Sequence, residues 1–264
     1  MTSPAGWYAD PWAPANLRWW DGSAWTPHFV VPPEEPAPTF DARALRPALV
    51  GVVASVVAAR LTGTLLLNRL DAPTEVFIVC FYAVLFGGMW LTCRTISRRY
   101  GTGEPIRDFG LSWKPSDIGR GVLTFLIARV LQVIAMLPWA GDLDRLRRLT
   151  EGLERVSLPT FIIFAIVATV GAPILEELVF RGVIQRSLAA RYGHGWAIPV
   201  QAVLFGLYHV TPGLGATNVP YVAGLSAAGL VLGWAAWRWR RLGPSSTAHF
   251  LVNATSTAIL FGSR

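Results

Sequence analysis

Cysteine is almost absent from this chain. Only Cys80 and Cys93 occur among 264 residues, and a helical stretch of thirteen residues between them would hold them roughly 20 Å apart. That excludes a disulfide between the two, and nothing around them suggests a cysteine metal site. Charge is scarce too, at 15% of residues against 53% hydrophobic, with a mean hydropathy of +0.43. So thin a charged surface is outside the soluble range. The net charge of +7 therefore argues for membrane topology and against a nucleic-acid partner. A basic start followed by an apolar core is also missing from the first forty residues, which are polar, aromatic and rich in proline. The expectation is no cleavable signal peptide, with the first crossing serving as an uncleaved anchor.

What is abundant is apolar sequence. Runs long enough to cross a bilayer lie near 47–67, 76–93, 118–139, 158–184, 196–210, 219–237 and 246–261. The fold class this predicts is an all-α polytopic membrane protein of about seven transmembrane helices, preceded by a small N-terminal aromatic β unit. The fourth run is overlong and contains Pro173, which predicts a tilted or broken helix. The fifth is short enough to sit between its neighbours rather than against lipid.

The distribution of arginine sets the expected orientation. With the N-terminus inside, Arg43, Arg46, Arg94, Arg98, Arg99, Arg107, Arg120, Arg186, Arg191, Arg238, Arg240 and Arg241 share the cytoplasmic side. The opposite side keeps Arg69 and the loop after Trp139, the positive-inside pattern of a multi-pass protein of the cytoplasmic membrane. One stretch runs against it, because the external loop "DLDRLRRLTEGLERV" holds four arginines.

Three domains follow: a Trp-rich β module over 1–30, a Pro-rich linker over 31–46 and a transmembrane domain over 47–264. In the module, "GWYADPWAPANLRWWDGSAWTPHF" alternates aromatic and polar residues around Asp21-Gly22, a dipeptide suited to a tight hairpin. This pattern resembles the short tryptophan-rich domain of unknown function carried by many bacterial membrane proteins. In so short a unit the aromatics are accounted for as its core. Binding of a protein partner by the same face is the other reading.

Chemistry concentrates in the second half of the chain. Of sixteen acidic residues only Glu176 and Glu177 fall within a hydrophobic run, and of four histidines only His209 and His249 do. "EELVFR" sets Glu177 one helical turn before Arg181, "FGLYH" sets Phe205 one turn before His209, and "HFLVN" sets His249 one turn before Asn253. Charges cost roughly 2.5–3.5 kcal/mol each within a bilayer on insertion scales, so they persist where a cavity or partner needs them. Helical rise from the basic ends places Glu176, His209 and Asn253 roughly 22, 20 and 15 Å deep, with His249 shallower at roughly 9 Å. Arg60 and Arg129 also lie in apolar runs, where snorkelling or an interhelical pair accounts for them.

In order, these motifs resemble EExxxR, FxxxH and HxxxN of the intramembrane proteases that include the CAAX prenyl endopeptidases and bacteriocin-processing or immunity proteins. The resemblance covers roughly 158–261. It implies hydrolysis of a peptide bond in a membrane-associated peptide or protein, with leader peptides and bacteriocins the expected substrates. It further implies Glu176 as the base activating water, His209 helping to hold that water or a metal, and His249 and Asn253 stabilising the oxyanion. Glu177 and Arg181 orient the set, and Phe205 shapes the pocket wall. Zinc held by Glu176, His209 and His249 and a metal-free scheme are equally compatible with the motifs. A non-hydrolytic scaffold or immunity protein on the same fold is the alternative function, and a transporter a weaker third. The charge distribution itself predicts that cysteines introduced at Ser23 and Ser245 resist an impermeant thiol reagent in intact cells. Labelling of both would invert the topology.

Overall fold

The computed structural model describes residues 3–13, 16–30, 41–141 and 156–262. The expected linker therefore lies mostly outside the described residues, as does nearly all of the arginine-rich loop after Trp139. The chain divides into two compact units, 1–37 and 38–264.

The first unit is a three-stranded antiparallel sheet in the order β1 (Gly6–Ala9), β2 (Leu17–Trp20), β3 (Trp25–Val30). The turn between β2 and β3 falls at Asp21-Gly22 as the sequence predicts. Asp21 accepts hydrogen bonds from the Ser23 and Ala24 backbone N–H groups, and Gly22 takes a φ of 101°, a left-handed conformation that glycine adopts without a Cβ clash. Trp7 meets Trp19 edge to face at 5.4 Å, and Trp20 meets Trp25 at 5.3 Å. Buried Asp10 pairs with Arg18 at 2.9 Å. Aromatic stacking plus one ion pair thus stand in for the larger core that so short a chain cannot build.

The second unit is helical. Asp41 caps a short 3-10 turn by accepting from Arg43 N–H, and α1 (Leu45–Asn68) begins directly after it, slightly earlier than predicted. Next come α2 (Thr74–Tyr100), the short α3 (Pro105–Asp108), α4 (Ser116–Met136), α5 (Leu158–Tyr192), α6 (His194–Tyr208), α7 (Asn218–Trp239) and α8 (Gly243–Gly262). Among the described residues five helices are long and apolar enough to cross a membrane: Ala42–Asn68, Thr74–Tyr100, Ser116–Trp139, Leu158–Tyr192 and Gly215–Trp239. The two other predicted crossings are α6, with 15 residues, and α8, with 20 residues rich in Ser, Thr, His and Asn. In both, polar side chains or shortness lower the apolar content that a lipid-facing span requires.

α5 is the central element. Residues 176–185 are all buried. Its hydrogen bonding widens to the π pattern over Val167–Gly171 and again over Glu177–Gln185, and between them lies Pro173, which has no N–H to donate. α1 packs on α2, α7 on α4 and α6, and α8 on α4. The α6–α7 contact is close because its residues are small. A Cβ on Gly206 would approach the Val222 carbonyl oxygen to 2.7 Å, and one on Gly229 would come within 3.2 Å of Ala202 Cα, a small-residue contact of the kind that packs membrane helices. Gly193, with φ at 77°, stops α5 and lets α6 start at the next residue.

Polar groups tie together the basic end of the bundle. Arg241 grips Asp117 with both Nε, at 3.0 Å, and Nη2, at 2.6 Å. Asp108 accepts from the Ser97 hydroxyl and, at 2.8 Å, from the Thr102 hydroxyl. Arg186 Nη1 donates to the Asp108 carbonyl at 3.1 Å. Ser245, expected to resist an impermeant reagent from its cytoplasmic side, is fully buried in this region, so its resistance would not report topology. Exposed Arg238 is the better cysteine position.

Two outcomes are expected. Gly206→Ala should destabilise the protein by about 1–3 kcal/mol, since the obstacle is backbone, whereas Gly87→Ala, whose Cβ meets nothing within 4 Å, should not. Thermal unfolding in detergent measures both. For Asp108, burial alone would raise the carboxyl, but the hydrogen bonds from Ser97 and Thr102 hold it below the ordinary range. A group depressed in the folded state stabilises it above the unfolded value of about 3.9, and that contribution fades as pH falls through the lower folded value. Asp108→Asn should therefore lower the melting temperature at pH 7, with the gap to wild type closing below about pH 4.

Candidate active site

Glu176 and Glu177 are neighbours on α5, so their side chains leave the helix in different directions. Glu177 turns toward Arg181, one turn on. Arg181 Nη1 donates to Glu177 Oε1 at 2.9 Å, and both side chains are fully buried. The same oxygen lies 3.0 Å from His249 Nδ1. A carboxylate paired with a guanidinium accepts, so Nδ1 of His249 carries the proton there and donates.

Glu176 faces the other way. Its Oε2 is buried, with no hydrogen-bond partner among the described residues. His249 Nε2 stands 3.7 Å from this oxygen and His209 Nε2 stands 3.9 Å from it. His209 Nδ1 is 2.8 Å from the Phe205 carbonyl oxygen. A carbonyl can only accept, so Nδ1 is the protonated nitrogen and Nε2 of the neutral ring presents a lone pair to Glu176. The rings of two histidines from α6 and α8 thus converge on one carboxylate oxygen of α5. At 3.7 and 3.9 Å the groups are too far apart for direct hydrogen bonds, and separations of this size are ones that a bridging water spans.

Phe205 fills the space behind. Arg181 lies over its ring at 4.2 Å, while His209 and His249 meet its edge or face with centroids at 4.9 and 5.6 Å. A cation against an aromatic face is attracted by the ring quadrupole, which offsets part of the cost of burying Arg181. Tyr208 extends the wall, its ring 4.9 Å from His209. Its hydroxyl donates to Met89 Sδ at 3.7 Å. The sequence reading passed over Tyr208, although it is the only hydroxyl inside "FGLYH".

Helical rise from the basic end puts His249 shallower than Glu176, yet its ring stands 3.7 Å from that carboxylate. Depth by helical rise assumes parallel helices, whereas α5 carries Pro173 and two π segments, and the long Glu and His side chains span the remaining offset.

Asn253 is tied to α5. Its Nδ2 donates to the Ala168 carbonyl at 2.8 Å. In the π turn, Ala172 N–H serves the Val167 carbonyl. The next donor in register, which would serve Ala168, belongs to residue 173, a proline without one. Asn253 supplies the missing donor from the neighbouring helix.

For zinc, the predicted donors fit poorly. Ligand atoms about 2.1 Å from a tetrahedral ion lie about 3.4 Å apart, closer than the 3.7 and 3.9 Å found here. Among the described residues no group of three or more His, Cys, Asp or Glu side chains is placed to hold a metal ion.

Comparison with known families bears on two parts of the chain. Residues 158–255 match the family described as Type II CAAX prenyl endopeptidase Rce1-like, and residues 5–39 match one described as Protein of unknown function (DUF2510). The resemblance to CAAX-type intramembrane proteases read from the three motifs is thereby supported over α5 to α8, as is the separate character of the aromatic module. No curated protein and no solved structure compared with the chain matches it.

Proposed function

We propose that this membrane protein hydrolyses a peptide bond in a membrane-associated peptide, with Glu176 as general base and no metal in the reaction. The observation that carries this reading is the convergence of His209 Nε2 and His249 Nε2 on the buried, unpartnered Oε2 of Glu176. A water held there donates one proton to Glu176 and the other to His209. Its oxygen then attacks the carbonyl carbon, Glu176 takes the first proton, and the carbonyl π electrons move to oxygen. On collapse the C–N bond breaks and Glu176 returns the proton to the leaving amine.

His249 is the oxyanion donor in this scheme. As an imidazolium it keeps Nδ1–H on Glu177 and offers Nε2–H to the developing charge. The buried set of Glu176, Glu177, Arg181 and His249 then carries no net charge. Asn253 uses one amide proton on Ala168 and retains a second for the oxyanion. Family-level similarity over 158–255 supports the same reaction class. Orientation follows the arginine distribution, with the N-terminal module on the cytoplasmic side of the cell membrane.

Purified protein incubated with a membrane-peptide library in detergent should release cleavage products that vanish in Glu176→Gln. The amide is nearly isosteric but cannot take the proton. His249→Ala should lower kcat by roughly a hundredfold to a thousandfold, the loss of one oxyanion donor. A chelator should leave the rate unchanged. Inhibition by chelation with recovery on added zinc would defeat the metal-free scheme, and full activity of Glu176→Gln would leave the scaffold reading in its place.

A further inference from the structure

Two arginines inside apolar helices belong to none of the motifs and lie outside the family-matched segment. Arg60 is on α1 and Arg129 on α4, both partly buried, and among the described residues neither forms an ion pair with a carboxylate. Each instead binds neutral oxygens on an element that carries a site residue. Arg60 Nη2 donates to the Val210 carbonyl at 2.7 Å, one residue past His209. Arg129 Nη2 donates to the Val252 carbonyl at 2.6 Å, one residue before Asn253, and also to the hydroxyls of Thr255 and, at 2.8 Å, Ser256. Its Nη1 reaches Gln132 Oε1 at 2.9 Å.

These are places where the backbone needs holding. His209 caps the C-terminus of α6 with φ −90° and ψ 5°, outside the helical pattern, where carbonyls lack partners and the helix dipole is negative. A guanidinium satisfies both conditions. On α8, the Thr255 and Ser256 hydroxyls fold back onto the Val252 carbonyl at 3.1 and 2.9 Å, a pattern that bends helices. Arg129 Nη2 reaches the same carbonyl and both hydroxyls.

We propose that Arg60 and Arg129 are positioning residues, two clamps from helices outside the matched segment that fix the backbone carrying His209 and Asn253. A clamp just past the end of α6 sets the direction of the His209 ring together with its bond to the Phe205 carbonyl and its ring contacts with Phe205, Tyr208 and Tyr221. A clamp on α8 sets the register of Asn253 against Ala168. The effect on turnover rests on the hydrolytic reading above, but the effect on the backbone does not.

The test pairs amide hydrogen exchange of the full-length protein in detergent with kinetics on a fluorogenic peptide that the wild type cleaves. Arg60→Met should speed exchange about tenfold over 207–211 and leave 250–257 unchanged, and Arg129→Met should do the reverse, each having lost charge-assisted hydrogen bonds to its own segment. In both, kcat should fall about tenfold with KM held within about twofold, since positioning and not substrate contact is lost. Arg60→Lys should recover wild-type behaviour, because one donor reaches one carbonyl. Arg129→Lys should recover 250–257 in part, because the single nitrogen Nη2 makes all three contacts to α8 and an ammonium keeps a charged donor there. Wild-type exchange in both segments, equal loosening of both by either variant, or no recovery in Arg60→Lys would each overturn the proposal. If the wild type cleaves no peptide, the hydrolytic reading fails while the exchange result still decides the clamps.

Discussion

A guanidinium and two carboxylates within two helical turns cannot be left against hydrocarbon, and the second unit is arranged around that constraint. Glu177, Arg181 and His249 form a contiguous buried set linked at 2.9 and 3.0 Å. Breaking any partner would strand a charge in a medium of low dielectric, where an uncompensated ion costs several kcal/mol. The consequence is that α5 must be enclosed. α1, α2, α6, α7 and α8 all contact it, and its stretch from Glu176 to Gln185 has no lipid-facing residue.

Enclosure in turn dictates composition around α5. Gln185 donates to the Gly233 carbonyl at 2.9 Å and Gln201 to the Gly229 carbonyl at 3.0 Å. Both amides come close to α7 because residues 229 and 233 lack side chains; a Cβ on Gly233 would lie 2.7 Å from Gln185 Oε1. Small residues thus let polar side chains reach backbone acceptors inside a membrane bundle, where each unsatisfied group is expensive.

The same economy explains the irregular backbone. Pro173 deprives the preceding turn of a donor, α5 widens to a π pattern around it, and Asn253 supplies the replacement bond to Ala168. Widening changes the angle at which successive side chains leave the helix. Glu176 sits at the junction of the two π segments, where it can face the histidine rings while Glu177 faces Arg181. Irregular helix geometry is therefore tied directly to the division of roles between two adjacent glutamates.

Local chemistry determined much of this from the sequence alone. Hydrophobic run length fixed the membrane class, the Asp21-Gly22 dipeptide fixed the hairpin, and the rarity of intramembrane charge singled out Glu176, Glu177, Arg181, His209 and His249. Those properties depend on neighbours a few residues away. Which group meets which depended on helix tilt, rotation and the break at Pro173, none of which has a local signature. Packing therefore decided that His249 touches Glu177 with one nitrogen and approaches Glu176 with the other, and that Asn253 bonds to a backbone carbonyl of α5. Arg60 at the Val210 carbonyl just past α6 and Arg129 at the Val252 carbonyl of α8 were decided in the same way: a hydrogen bond between distant segments exists only once assembly brings donor and acceptor within about 3 Å.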